Sequence, residues 1–388
     1  MANTPICLYG LTEFVKSFTF VKMTPFQHIR PHQNGAVTIK DVAAVAKVST
    51  ATVSRVLSGA KRARPQVRER VLAAVKTLKY HPNHLARDLR AGLRKVIGVI
   101  IPDLQNPFLT GVVRGVEDVL QQSGYSLILG NSDEQAEREQ RHLAVLRGEG
   151  AAGLILVPSD APHANYEALR NWDIPIVAAD RMPRGLQVDL VCSNNREGAR
   201  EATKHLIAHG YQDIAIIGGP DGVNVAEDRL AGYREALVAA GITPRHSLII
   251  HSDFRQAGGR TSMHRLLDLA RRPRAVFVAN NLMTLGALQA LHERGMRIPE
   301  EMAVVGFDDM PWAISLRPPL TVVAQPIEEI GRVAAELLLE RLKNPTQMVR
   351  QIVLSTQLIV RSSCGGHPII PPPSSTNPTN GKSGDQTK

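Results

Sequence analysis

From Val96 to Phe307 the chain repeats one pattern, a short run of aliphatic and β-branched residues followed by a segment of helical period. VIGVII (96–101) precedes an amphipathic stretch at 107–123, YSLILG (125–130) one at 134–148, AGLILV (152–157) one at 163–171, and PIVAA (175–179) closes a first series. A second series runs helix 195–209, DIAIIGG (213–219), helix 226–240, SLIIHS (247–252), helix 257–270, AVFVAN (275–280), helix 282–294 and AVVGF (303–307). Continuous apolar runs joined by amphipathic crossovers are what parallel strands buried on both faces require. Two α/β lobes in tandem are predicted. Open parallel sheets hold ligands beyond the carboxyl ends of their strands, so two facing lobes make a cleft lined by strand-to-helix loops.

The 388 residues suffice for two or three domains with full cores, and no uninterrupted apolar run nears the ~18 residues of a membrane helix. No membrane partner is expected. The formal net charge of +10 is unevenly placed: residues 36–95 hold 14 Lys and Arg against 3 Asp and Glu, and the remainder holds 32 against 33. A small cationic module on a near-neutral body suits a polyanion, because each Lys or Arg that meets a phosphate releases condensed counterion. A merely solvated basic face is the other reading of charge alone. Cys7, Cys192 and Cys364 are odd in number and widely spaced, which suggests neither a disulfide framework nor a zinc knuckle. Without a signal-peptide pattern, a reducing, cytoplasmic, nucleoid-associated location is expected.

Within the basic segment, Thr38-Ile39-Lys40-Asp41 reads as a capping box opening a short helix with Ile39, Val42, Ala43 and Ala46 on one face. Ser49 then caps a second helix that turns Val53, Val56 and Leu57 inward and leaves Thr50, Ala51, Thr52, Ser54 and Arg55 on or near its outer face. Two helices joined at Lys47-Val48 make a helix-turn-helix, whose second helix lies in the DNA major groove. There Arg55 can donate two bonds to guanine, while Thr50 and Ala51 can offer methyl groups to thymine. A third helix starts near Pro65. Asn83 caps a stretch to Arg90 in which Leu85 and Leu89 share a face, too short for an isolated helix.

The order VTIKDVAAVAKVSTATVSRVLSG (37–59) and RERVLAAVKTLKYHPNHLARDLR (68–90), continued by IGVIIPDLQNPF (97–108), AADR (178–181), EDRLAGYREAL (227–237), VANNLMTLGAL (278–288), VVGFDDM (304–310) and QLIVRSS (357–363), resembles the lactose/galactose repressor family. The resemblance implies an all-α helix-turn-helix headpiece on an α/β body of two parallel-sheet lobes, like a periplasmic binding protein. It implies a sequence-specific transcriptional repressor controlled by a small-molecule effector. The expected parts are a headpiece (36–82), a hinge helix and linker (83–95), an N-terminal lobe (96–191 with 325–354) and a C-terminal lobe (192–324 with 355–366). Residues 1–35, without periodicity, form an N-terminal extension, and the Pro- and Ser-rich residues 367–388 a disordered tail. The DNA-binding set is Thr38, Lys47, Ser49, Thr50, Ala51, Thr52, Ser54, Arg55 and Asn83, with Leu89 as a wedge that kinks the minor groove when paired hinge helices form on a pseudo-palindromic operator. Three positions depart from the family pattern. Lys47 replaces the Gly or Asn of the tight turn, Arg64 a Ser or Thr cap, and Lys79 a Gly after Leu78, so three local stability devices have become cations.

By motif, the family's effector-binding positions fall on Phe108 in NPF, Asp180 in AADR, Arg229 in DRLAGY, Phe254 in SDF, Asn280 in VANN and Asp308 in GFDD. Carboxylates, a guanidinium and an amide bond directionally to hydroxyls, while Phe108, Phe254 and Trp312 offer apolar faces. A sugar or sugar derivative fits, though Arg229 would equally take a phosphate or carboxylate, and two phenylalanines a purine. Without the resemblance, Asp180-Arg181 reads as an exposed strand-end pair and Asp308-Asp309 as a helix cap. Asn194 and Asn281 stand where many relatives carry aspartate. No GxGxxG, GKS/GKT or GxSxG motif occurs, so no catalytic residue and no cofactor is assigned. His205 and His209, i and i+4 on a helix, have no third ligand nearby in sequence and read as a solvent-facing pair, not a metal site. The rival reading, a sugar-binding transport protein with the same two-lobed body, does not account for a basic headpiece. A homodimer is expected from two-fold half-site reading, and no leucine heptad after Val360 adds a tetramer-forming bundle.

Overall fold

The computed structural model describes residues 37–57, 64–80, 95–159 and 166–365, which fall into two separate units, a headpiece and a body. Asn83, Leu89, the N-terminal extension and the C-terminal tail lie outside the described residues.

Among its described residues the headpiece has three helices, α1 (Ile39–Ala46), α2 (Thr50–Leu57) and α3 (Pro65–Thr77), around Val42, Ala43, Ala46, Val53, Val56, Val71 and Ala74. The Thr38 N–H and hydroxyl both donate to Asp41 Oδ2 at 2.7 Å. The Thr38 N–H bond holds the exposed Asp41 carboxyl below its ordinary range. The Thr52 N–H donates to Ser49 Oγ at 3.2 Å, capping α2, whereas Arg64 precedes α3 without a side-chain cap. Both α1 and α3 end on a lysine in the left-handed region, Lys47 at φ 52° and Lys79 at φ 47°. Each closes a complete Schellman motif: Val48 N–H to Ala43 O with Lys47 N–H to Ala44 O, and Tyr80 N–H to Val75 O with Lys79 N–H to Lys76 O.

The body holds two six-stranded sheets. The first runs β11 (Gln351–Leu354), β5 (Asp189–Ser193), β4 (Ile176–Ala179), β3 (Gly153–Leu156), β1 (Val96–Ile101), β2 (Ser126–Asn131), all parallel. The second runs β12 (Gln357–Ile359), β10 (Thr321–Ala324), β9 (Ala303–Phe307), β8 (Ala275–Val278), β6 (Ile214–Gly218), β7 (Ile249–His251), parallel except for its antiparallel edge β12. Helices α4 (Pro107–Gln122), α5 (Ala136–Gly148), α6 (Glu167–Arg170) and α11 (Ile327–Lys343) belong to the first lobe. Helices α7 (Asn195–Ala208), α8 (Asn224–Ala239), α9 (Gln256–Leu267) and α10 (Asn281–Glu293) belong to the second. The chain passes between the sheets after β5, after β10 and after β11.

Helices meet in pairs with backbone against backbone. A Cβ at Gly115 of α4 would lie 2.0 Å from Glu328 O of α11, one at Gly331 would lie 2.0 Å from Val112 O, and one at Gly286 of α10 would lie 1.9 Å from Gln256 O of α9. Strand β5 continues in the first sheet to Ser193, two residues past the boundary expected at 191. Its first residue, Asp189, is a buried carboxylate held by Arg341 Nε and Nη2 at 2.7 and 2.8 Å and by the Arg350 N–H at 2.7 Å.

Candidate functional site

Phe108, Asp180, Arg229, Phe254, Asn280 and Asp308 line one cavity of about 20 Å³, together with Asn106, Leu109, Arg181, Val225 and Gln325. All six are buried, the most exposed being Phe254 at 7%. Asp180 follows β4, Phe254 lies beyond β7 and Asp308 follows β9, all three in left-handed backbone at φ 62°, 61° and 73°. Such a conformation costs a non-glycine residue about 1–3 kcal/mol and persists where the surrounding structure imposes it. Here it is imposed at three sheet ends that face one cavity. A larger hollow on the first lobe, lined by Trp172, Ile174, Gln187 and Arg341 among others, contains none of the six.

Arg229 on α8 donates from Nε to Asn195 Oδ1 at 2.8 Å and from Nη1 to Ala279 O at 2.5 Å. Its guanidinium carbon lies 3.9 Å from the Phe307 ring centroid. Burial lowers its pKa, opposed by the charges of Asp308 and Asp180. Asp308 accepts from Gln325 Nε2 at 2.6 Å and from the Asn281 N–H at 3.2 Å. Asp180 has Arg181 Nε 3.7 Å from Oδ2, and its buried Oδ1 has no hydrogen-bond partner. Burial raises the pKa of both carboxyls, against the pull of Arg181 and Arg229 on Asp180 and of Arg229 on Asp308. Asn280 caps α10, accepting from the Met283 N–H at 2.8 Å while its Nδ2 donates to Phe254 O at 2.9 Å. Phe108 stands in the first turn of α4, its N–H donating to Asn106 Oδ1 at 3.0 Å.

Several sequence readings change. Asp180 and Arg181 are not an exposed pair: both are buried, and Arg181 Nη1 bonds Glu134 at 2.9 Å. Trp312 is absent from the cavity lining and packs against both lobe cores. The histidine pair is half-buried, and Cys364 Sγ lies 3.0 Å from His205 Nε2, so a third candidate ligand is present 159 residues away in sequence. Asn106, Arg181 and Gln325 belong to the cavity though no sequence motif singled them out for it. Asn281 Nδ2 donates to Asn106 Oδ1 at 2.9 Å, joining the lobes with a bond that an aspartate could not make. Asn194 Oδ1 accepts from the Glu197 N–H at 3.3 Å, so it still caps α7.

In the headpiece, Thr38, Lys47, Ser49, Thr50, Ala51 and Arg55 are exposed, and Thr52 and Ser54 half-buried. Thr52 Oγ1 also shares a 2.9 Å bond with Ser49 Oγ.

A family model described as bacterial regulatory proteins, lacI family, matches residues 38–83, and one described as a periplasmic binding protein-like domain matches residues 203–364. The ribose operon repressor of Halalkalibacterium halodurans is 38% identical over 329 residues, 85% of this chain and 97% of the relative. The chain belongs to the LacI family. The HTH-type transcriptional repressor PurR of Photobacterium profundum is 33% identical over 84% of this chain and 98% of its own length. A crystal structure of the Lac repressor dimer bound to operator and the anti-inducer ONPF matches with a TM-score of 0.75 at 28% identity, covering 86% of this chain and 100% of that one. This LacI-family member is thus a DNA-binding transcriptional repressor controlled by a small-molecule effector.

Proposed function

We propose that this LacI-family repressor works in the cytoplasm as a homodimer on a pseudo-palindromic operator and answers to a free sugar bound among Phe108, Asp180, Arg229, Phe254, Asn280 and Asp308. The observation that carries the ligand class is the buried Asp180 Oδ1 without a partner, beside a second buried carboxylate at Asp308. Sugar hydroxyls donate to carboxylates, and Arg229 adds charge-assisted donors. A phosphate would meet two carboxylates in a site whose second cation, Arg181, is already bonded to Glu134. The resemblance to the ribose operon repressor points the same way. On the DNA side, exposed Thr50, Ala51 and Arg55 read base edges, Lys47 faces phosphate, and Leu89 supplies the minor-groove wedge. Control arises only from the effector's different affinity for two arrangements of the lobes.

A thermal-shift screen of pentoses, hexoses, sugar phosphates and nucleobases tests this reading. A free sugar at about 100 times its Kd is expected to stabilise the body by about 2.7 kcal/mol and to change operator affinity. Stabilisation by a sugar phosphate or nucleobase alone would overturn the ligand class.

A further inference from the structure

Away from the cleft, the second lobe gathers two histidines and a cysteine from distant parts of the chain. His205 and His209 stand i and i+4 at the end of α7, their rings edge to face with centroids 4.5 Å apart. Cys364 arrives from the segment beyond β12. One ligand atom from each of the three lies within 4.8 Å of the other two, and the closest pair, His205 Nε2 and Cys364 Sγ, is at 3.0 Å. Around a tetrahedral zinc ion, imidazole nitrogens at about 2.0–2.1 Å and a thiolate at about 2.3 Å stand about 3.3–3.6 Å from one another. Small side-chain shifts therefore bring this cluster to that spacing.

The donor set is selective. One thiolate and two imidazoles favour zinc-class cations over magnesium or calcium, which take oxygen ligands. Thr321 Oγ1 lies 3.2 Å from Cys364 Sγ, placed to donate to a thiolate as an outer-shell partner. We propose that His205, His209 and Cys364 bind a zinc-class divalent cation that fastens the C-terminal end of the body to α7. The opposite end of α7 holds Asn195, the partner of Arg229 in the cleft, so the ion steadies the same helix that orients an effector-binding residue.

The test uses the full-length protein, stripped by a chelator and titrated with Co²⁺ and then Zn²⁺. Co²⁺ is expected to bind one equivalent per chain with a thiolate-to-metal absorption band and the visible bands of tetrahedral cobalt, both abolished by Zn²⁺. Cys364→Ser is expected to remove the thiolate band, which excludes Cys7 and Cys192 as its source. His209→Ala is expected to weaken Co²⁺ binding at least about tenfold, a loss that outer-shell changes alone already produce, with operator binding unchanged. Absence of the thiolate band from the wild type, or unaltered Co²⁺ binding in both variants, overturns the site.

Discussion

Replacing Lys47 and Lys79 with glycine separates strain from charge in the headpiece. Both residues are exposed and sit in the left-handed region at φ 52° and 47°, where an L side chain costs about 1–2 kcal/mol. The Schellman bonds that close α1 and α3 are made by backbone atoms, so glycine retains them. Its greater freedom in the unfolded chain returns about 0.4–1 kcal/mol of the gain. The double variant is therefore expected to stabilise the headpiece by about 1–2 kcal/mol in all. Since 1 kcal/mol moves the midpoint of a 60–100-residue domain by about 4–8 °C, the headpiece transition of the full-length protein rises by at least about 4 °C. Operator binding responds in the opposite sense. The slope of log affinity against log salt becomes shallower by about 0.9 for every phosphate contact removed. Calorimetry of the intact protein reads the first quantity, and fluorescence anisotropy of labelled operator at several salt concentrations the second. A headpiece that melts no higher refutes the strain argument, and an unchanged salt slope refutes the view that these lysines meet phosphate.

Asp180→Asn is expected to raise the urea midpoint at neutral pH while abolishing effector binding. Burial lifts the Asp180 carboxyl above its unfolded value, so its stabilising contribution is present below the unfolded pKa and is lost as pH rises through the folded one. The advantage of the asparagine variant accordingly closes as pH falls below about 4. Arg229→Ala leaves Asp308 without its buried counter-charge and Asp180 with Arg181 alone and is expected to cost about 3–5 kcal/mol, seen in the body's unfolding midpoint together with loss of effector response. Asn281→Asp removes the donor to Asn106 Oδ1 and is expected to disfavour lobe closure by about 1–3 kcal/mol. Small-angle scattering and effector affinity measure that opening.

Much of this architecture is legible in the sequence because it rests on local pattern. Most elements from Val96 to Phe307 have the periods and lengths of buried strands joined by crossover helices, and β1 and β9 occupy the residues their apolar runs indicate. What escaped depends on partners far away in the chain. Strand β5 begins with Asp189, whose charge disguises a buried strand until Arg341 arrives from 152 residues on. Edge strand β11 alternates exposed with half-buried residues, so it lacks the continuous apolar run of its neighbours. The left-handed backbone at Asp180, Phe254 and Asp308 has no decisive local signature, because aspartate tolerates it in many turns and phenylalanine adopts it only where the surrounding structure imposes it. Cys364 beside His205 is likewise a product of tertiary folding.

The glycine contacts between helices bear on how the cleft moves. Where Gly115 meets Glu328 O and Gly286 meets Gln256 O, no layer of side chains separates the backbones, and sliding of packed helices requires such a layer to repack. Sliding inside a lobe is thereby disfavoured, and the links between the lobes are left to act as the hinge. The hinge has three strands of chain, between Ser193 and Asn195, Ala324 and Ile327, and Leu354 and Gln357. A change in cleft width thus falls on a handful of torsions and on the bonds across the lobes, such as that from Asn281 to Asn106.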